Sequence, residues 1–223
     1  MKIAIIGTGR MGKALLKTFY RIYPDALLFA GRDLHRAQGE VDDLKLNLKA
    51  VKYEEAFKAD IIIPTLWFRD LPSWIETYKK RLAGKILVDI TNPFNKQYDD
   101  FVLPYDTSSA EEIQKMLPET TVVGAFKNTY WVVFDDPYLQ GLKSDVFLTS
   151  NNANALQLMS DLIRPLPFRV LNAGKLKNNR TIERMTLLSR EVAINAGTFP
   201  KISFNLWGLE HDLAEGKSTN ESK

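Results

Sequence analysis

Residues 1–12 read MKIAIIGTGRMG, and this stretch decides the fold. An apolar run at 3–6 stops at Gly7, and glycines recur at Gly9 and Gly12. G-x-G-x-x-G thus stands directly after a strand pattern and at the head of a helix pattern, the context that gives the motif meaning. Each glycine has its own task in such a turn: Gly7 allows the tight reversal, Gly9 lets a pyrophosphate approach the backbone, and Gly12 lets helix and strand pack closely. The free N–H groups and the positive end of the helix dipole then face an anion.

Downstream the pattern repeats. Met11, Leu15 and Phe19 share one helical face over 10–20, and Pro24-Asp25 ends that helix. A buried strand is predicted at 26–30, then a weakly periodic helix, a short strand near 50–51 and a brief helix over 54–58. Strands at 60–66, 85–90, 121–125 and 145–149 alternate with helices over 71–82, 110–116 and 153–163. Pro64 is predicted at the C-terminal end of its strand, because it cannot donate to a ladder. A last strand falls at 168–171 and a last helix at 180–196, with Ile182, Met185, Leu188 and Val192 on one face. Continuous apolar strands alternating with helices predict an α/β, Rossmann-type doubly wound sheet, mostly parallel and covered on both faces. The expected organisation is a dinucleotide-binding domain over 1–150 and a small strand and helix extension over 151–223 on the same sheet.

Composition narrows the chemistry. The chain has 223 residues, net charge +3, no cysteine and two histidines. Absent cysteine excludes a thiol nucleophile, disulfides and thiolate metal ligands. His35 reads as a solvated helix-start residue and His211 as part of a polar C-terminal tail, so neither has partners for a zinc site or a Ser–His–Asp arrangement. No metal is expected, and no residue is assigned a catalytic role. Bases are spread rather than gathered in a stripe, which argues against nucleic acid as the main partner. No apolar run approaches membrane-span length, and no leader pattern precedes the first strand, so a cytoplasmic location is expected. The apolar segment 199–209 reads as a surface in need of cover, and a homodimer is expected.

Ligands of an open doubly wound sheet bind beyond the carboxyl ends of its strands. Gly31-Arg32-Asp33 follows the second strand; an arginine there suits the 2′-phosphate of NADP, which it meets in a bidentate fork, while Asp33 suits a helix cap. Thr65 and Pro93 fall where they would line the dinucleotide groove. Asn128 and Thr129 offer amide and hydroxyl partners. Trp67, Phe94, Phe126, Tyr130 and Trp131 gather at the same strand ends and suit a flat ring stacked on a nicotinamide. Trp67, Phe126 and Asn128 are the candidates for an acceptor pocket.

The segments IAIIGTGRMG (3–12), AGRD (30–33), LVDITNPF (87–94), VVGAFKN (122–128) and LNAGKLKNNRTIE (171–183) together resemble the NADP-dependent oxidoreductase family that includes the NADPH:deazaflavin (coenzyme F-420) oxidoreductases. The same domain is similar to the soluble reductase part of the STEAP metalloreductases. The resemblance covers about residues 1–197, and the last segment discriminates best, since glycine turns recur in all dinucleotide folds. It implies hydride transfer between NADPH and a flavin-like ring, and dinucleotide contacts at Thr8, Gly9, Arg10, Met11, Arg32, Thr65 and Asn92. Trp67-Phe68 stands where the deazaflavin enzymes would have proline then tryptophan, and VVGAFKN is nearer to the metalloreductase branch. The chain carries no membrane haem domain, so the acceptor is expected to be a soluble molecule.

The leading expectation is an NADPH-dependent oxidoreductase of a flavin or deazaflavin, a chemistry that the cofactor rings supply and the protein only orients. The alternatives are a small imine or carbonyl reductase, like pyrroline-5-carboxylate or ketopantoate reductases, and a non-catalytic NADP(H)-sensing module. The short stretch beyond residue 150 weighs against the first of these, since those families add a large helical domain.

Overall fold

Four-residue apolar strands form the centre of the molecule. In β1 (Ile3–Ile6) every residue is buried, with Ile3 and Ile5 packed into one core and Ala4 and Ile6 into the other. Side chains alternate across a strand, so a strand apolar at every position requires cover on both sides. The computed structural model describes residues 1–209. His211 and the polar tail lie outside them.

The order is β1, α1 (Arg10–Tyr20), β2 (Leu27–Ala30), α2 (Leu34–Asp43), α3 (Tyr53–Ala56), β3 (Ile61–Pro64), α4 (Leu71–Leu82), β4 (Ile86–Asp89), α5 (Ser109–Met116) and β5 (Thr121–Gly124). A small hairpin of β6 (Tyr138–Leu139) and β7 (Leu142–Lys143) follows, then β8 (Asp145–Ser150), α6 (Ala153–Ile163), β9 (Arg169–Asn172) and α7 (Asn179–Asn195). Seven strands make one sheet in the order β2-β1-β3-β4-β5-β8-β9. All neighbours pair in parallel except β5 and β8. The architecture is the Rossmann-like α/β sheet predicted from the alternation, with Pro64 the last residue of its strand. The strand expected near 50–51 is reduced to one bridge between Ala30 and Val51.

One face of the sheet is covered by α1, α2 and α6, centred on Leu15, Phe19, Phe29, Phe126, Phe134 and Phe168; the other by α3, α4 and α5, centred on Leu71, Trp74, Ile75 and Ile113. The chain order reverses between β1 and β3, the switch point where such sheets open a crevice. Gly7 lies there with φ +128°, a conformation that L side chains rarely adopt. A Cβ on Gly12 would overlap the Gly7 carbonyl oxygen, so α1 can start this close to β1 only because Gly12 has no side chain. Thr65 closes the crevice from β3: its N–H donates to the Ile6 carbonyl at 2.8 Å and its Oγ1 to the Ile6 and Gly7 carbonyls, both at 3.2 Å.

The last helix corrects one expectation. Ile182 is buried, but Leu188 is 63% and Val192 50% exposed, while Glu183, Thr186 and Ser189 are buried. α7 therefore turns polar side chains inward, because what lies beneath it is a charged cluster and not an apolar layer. At the far edge, Arg169 grips Asp145 with a fork of 2.6 and 2.9 Å. The same carboxylate accepts from the Leu206 N–H at 2.7 Å, which ties segment 204–206 to β8.

Gly12→Ala is expected to cost about 2–3 kcal/mol, the upper part of the range for overpacking a filled site, and so to lower Tm by roughly 5–10 °C. A thermal melt within about 1 °C of wild type would show that α1 shifts without cost.

Candidate functional site

Four turns meet above the carboxyl ends of the strands. The glycine turn supplies Gly9, Arg10 and Met11; the turn after β3 supplies Thr65, Leu66, Trp67 and Phe68; the turn after β4 supplies Thr91, Asn92, Phe94 and Tyr98. The turn after β5 adds Phe126, Lys127, Thr129, Tyr130 and Trp131, α7 adds Thr186 and Arg190, and Phe199 completes the wall. They enclose a cavity of about 420 Å³. Its walls are aromatic and no aspartate or glutamate lines it.

The fold brings together most of the residues picked from sequence. Gly9, Arg10, Met11, Thr65, Asn92, Trp67 and Phe126 line the cavity, as do Phe94, Thr129, Tyr130 and Trp131. Gly7 and Gly12 shape the turn beneath it. Thr8 packs beside Gly31, where a Cβ would stand 2.8 Å from the Thr8 methyl group. Pro93 is buried outside the cavity, with its carbonyl accepting from the Val102 N–H at 2.8 Å. Phe126 serves the core as much as the cavity, its ring within 6.4 Å of those of Phe19, Phe134 and Phe168. Asn128 is turned away from the cavity: its amide donates to the Asp145 carbonyl at 3.1 Å.

Arg32 lies apart from the cavity, exposed at the end of β2 and close enough to Tyr53 to lower the phenol's pKa, although burial outweighs this and raises it. Beside it Asp33 caps α2, accepting from the Arg36 N–H at 3.0 Å, the cap its position predicted. His35 is exposed in the first turn of that helix.

Sequence reasoning missed the charged cluster under the cavity floor. The Lys127 ammonium meets Asp89 Oδ2 at 2.5 Å, the Thr91 carbonyl at 2.7 Å, Ser109 Oγ at 2.7 Å and Glu183 Oε1 at 2.9 Å. Asp89 Oδ1 accepts from the Thr91 N–H at 2.8 Å and from its hydroxyl at 2.6 Å. The Lys127 carbonyl in turn accepts from Asn92 Nδ2 at 2.7 Å and Thr186 Oγ1 at 2.9 Å. Lysine and both carboxylates are at most 2% exposed. The available signals were thin: Asp89 closes an apolar strand, Lys127 follows one, and Glu183 sits among the apolar positions of a helix.

Two carboxylates face one ammonium in a dry site. Burial pulls the Lys127 pKa down, but Asp89 and Glu183 outweigh it and raise the value, so the amine stays charged. For Glu183 burial is the largest influence and pushes its carboxyl above the ordinary range, against the pull of Lys127. Burial likewise raises Tyr130, whose hydroxyl donates to the Thr186 carbonyl at 3.0 Å. Two polar atoms at the cavity have no partner: Asn92 Oδ1, whose amide nitrogen is committed to Lys127, and Thr129 Oγ1. Unpaired buried polar atoms are costly, and these two can be satisfied from the cavity.

Lys127→Met leaves two carboxylates facing each other and is expected to cost about 3–5 kcal/mol in urea unfolding, the penalty for stranding buried charge. Glu183→Gln tests the charge excess. A carboxyl whose folded pKa is raised stabilises fully below its unfolded value of 4.5 and loses that contribution as pH rises through the folded value. The stability of the glutamine variant relative to wild type is therefore expected to improve as pH rises above the unfolded value; a difference independent of pH would contradict the assignment.

A family model for "NADP oxidoreductase coenzyme F420-dependent" matches residues 2–93. The F420-dependent NADP reductase of Methanocaldococcus jannaschii is 29% identical over 204 residues, 84% of this chain and 90% of the relative. The metalloreductase STEAP3 of Rattus norvegicus is 27% identical over 83% of this chain, which spans only 36% of that longer protein. Among solved structures, one assigned as an F420-dependent NADP reductase from Arthrobacter sp. FB24 superposes with TM-score 0.78 at 21% identity, covering 89% of this chain and 96% of the other, a likeness of fold. Together with the glycine turn at the switch point, these likenesses identify the chain as an NAD(P)-dependent oxidoreductase similar to the coenzyme F420-dependent NADP oxidoreductases.

Proposed function

We propose that the protein binds NADP(H) and transfers hydride between it and a flavin- or deazaflavin-type acceptor in the cavity. The observation that carries this reading is the aromatic, carboxylate-free cavity opening directly on the Gly9–Met11 turn. The turn fits a dinucleotide on its own geometry. Apart from its chain neighbours, nothing lies within 4 Å of where a Gly9 Cβ would stand, so the backbone N–H groups at the start of α1 are open to a pyrophosphate. Asn92 Oδ1 and Thr129 Oγ1 are unsatisfied and suit the N–H groups of a carboxamide or a flavin-like ring edge.

In this reading Gly7, Gly9 and Gly12 shape the pyrophosphate turn, with Thr8, Arg10 and Met11 along it and Thr65 bordering the groove. Arg32 meets the 2′-phosphate, which favours NADP over NAD. Bound NADPH supplies the hydride. The protein's share is to hold both rings within reach and exclude water: Trp67, Phe94, Phe126 and Trp131 make the flat walls, and Asn92 is held in one orientation by the Lys127 carbonyl. The setting we infer is a cytoplasmic homodimer. No helix among the described residues is long and apolar enough to cross a membrane, and Leu188, Val192, Ile194, Phe199 and Leu206 expose apolar surface along α7 and the segment after it.

Steady-state oxidation of NADPH with FMN, FAD or deazaflavin is expected to show turnover with at least one of them. Tight NADP(H) binding in calorimetry with no turnover would favour a sensing role instead, and turnover with small imines or carbonyls alone would favour that class. Arg32→Gln is expected to raise KM for NADPH about tenfold or more while changing that for NADH little, from the loss of charge-assisted bonds to phosphate. A double change Leu188→Glu and Val192→Glu is expected to convert a dimer to a monomer in sedimentation; a wild-type monomer would rule the dimer out.

A further inference from the structure

Among the described residues Arg190 is a cation without a counterion. It projects from α7 into the cavity wall, half-buried, with its guanidinium 5.8 Å from the Phe199 ring. Among the described residues it has no carboxylate partner, and none lines the cavity. Lys127, by contrast, is matched twice over. Arg10, the other cavity cation, rises from the glycine-turn wall and sits over the Trp131 ring at 3.9 Å from its centroid.

The dinucleotide has other partners for its own anions in the reading above: the N-terminus of α1 for the pyrophosphate and Arg32 for the 2′-phosphate. Neither group needs Arg190. A half-buried guanidinium against aromatic walls has lost part of its hydration and gained no carboxylate in exchange, and its planar fork fits phosphate or carboxylate oxygens. An anion carried into the cavity by the second ligand offsets that loss.

We propose that Arg190 binds an anionic group on the acceptor, so that the acceptor is a planar ring bearing a phosphate or carboxylate arm. The inference rests on the assignment of the cavity to a ring acceptor and adds the chemistry of its side chain. Arg190 then sets specificity among molecules with the same reactive ring.

FMN and riboflavin share one isoalloxazine ring and differ by a phosphate, so their ratio isolates the arm. Flavin fluorescence quenching on NADP⁺-loaded protein is expected to show FMN binding about tenfold more tightly than riboflavin, the scale of one or two charge-assisted hydrogen bonds. Arg190→Gln is expected to bring that ratio close to one, Arg190→Lys to keep part of it, and Arg81→Gln, an exposed cation outside the cavity, to leave it as in wild type. Thermal melts of each variant confirm folding. Equal affinity for the two flavins in wild type, a ratio unchanged in Arg190→Gln, or no binding of either flavin overturns the inference. Discrimination in binding without reduction of any flavin or deazaflavin by NADPH overturns the proposed reaction and leaves the anion site standing.

Discussion

The ammonium group of Lys127 holds the end of β4, the start of α5 and the N-terminal part of α7 together, three segments far apart in sequence. It does so with Asp89, Ser109, Glu183 and the Thr91 carbonyl packed around it. Two of these segments, together with the turn that bears Lys127 itself, make cavity walls. The Thr91–Asn92 turn is fixed from below by Asp89 and from the side by the Lys127 carbonyl, and α7 docks through Glu183 and Thr186. An ion cluster this dry contributes little net stability against an apolar alternative, yet loss of one member is severe. Its effect is definition: a charge that must be met in one place permits one arrangement of the walls around it.

That cluster also explains the distribution of charge in the site. The acids that approach the cavity are consumed below its floor, so the cavity itself presents aromatic rings and two arginines. A site of this kind offers few proton-transfer groups and many flat surfaces. It suits chemistry in which the reactive groups arrive with the ligands and the protein supplies orientation and dryness. The unsatisfied oxygens of Asn92 and Thr129 are the polar marks on an otherwise apolar wall, the pattern usual for small-molecule cavities.

The half of the chain that carries the glycine turn was largely legible from local pattern. The G-x-G-x-x-G turn, the strands apolar at every position and the Asp33 cap depend on residues within a few places of each other. The boundaries of α1, α4 and α6 coincide with those predicted. Side-chain direction at strand ends was less legible. Asn128 and Thr129 are neighbours in the same turn, yet Asn128 points to the Asp145 carbonyl and Thr129 lines the cavity. The positive φ of Phe126, which no composition rule foresees at an aromatic residue, lies at the start of that turn.

Periodicity predicted that α7 would bury an apolar stripe of Ile182, Met185, Leu188 and Val192. The helix is there, but its buried face holds Glu183, Thr186 and Ser189. Periodicity assumes that what lies under a helix is apolar, and here it is an ammonium and a carboxylate contributed by residues about sixty and ninety positions earlier. The sequence by itself determined the sheet, the glycine turn at its switch point and the set of aromatic strand-end residues, because those follow from short-range spacing and from the exclusion of a Cβ. Only the tertiary structure decided which charges are neutralised: it paired Lys127 with Asp89 and Glu183 and left Arg190 facing the cavity, since desolvation and Coulomb attraction act between groups that meet only once the chain has folded.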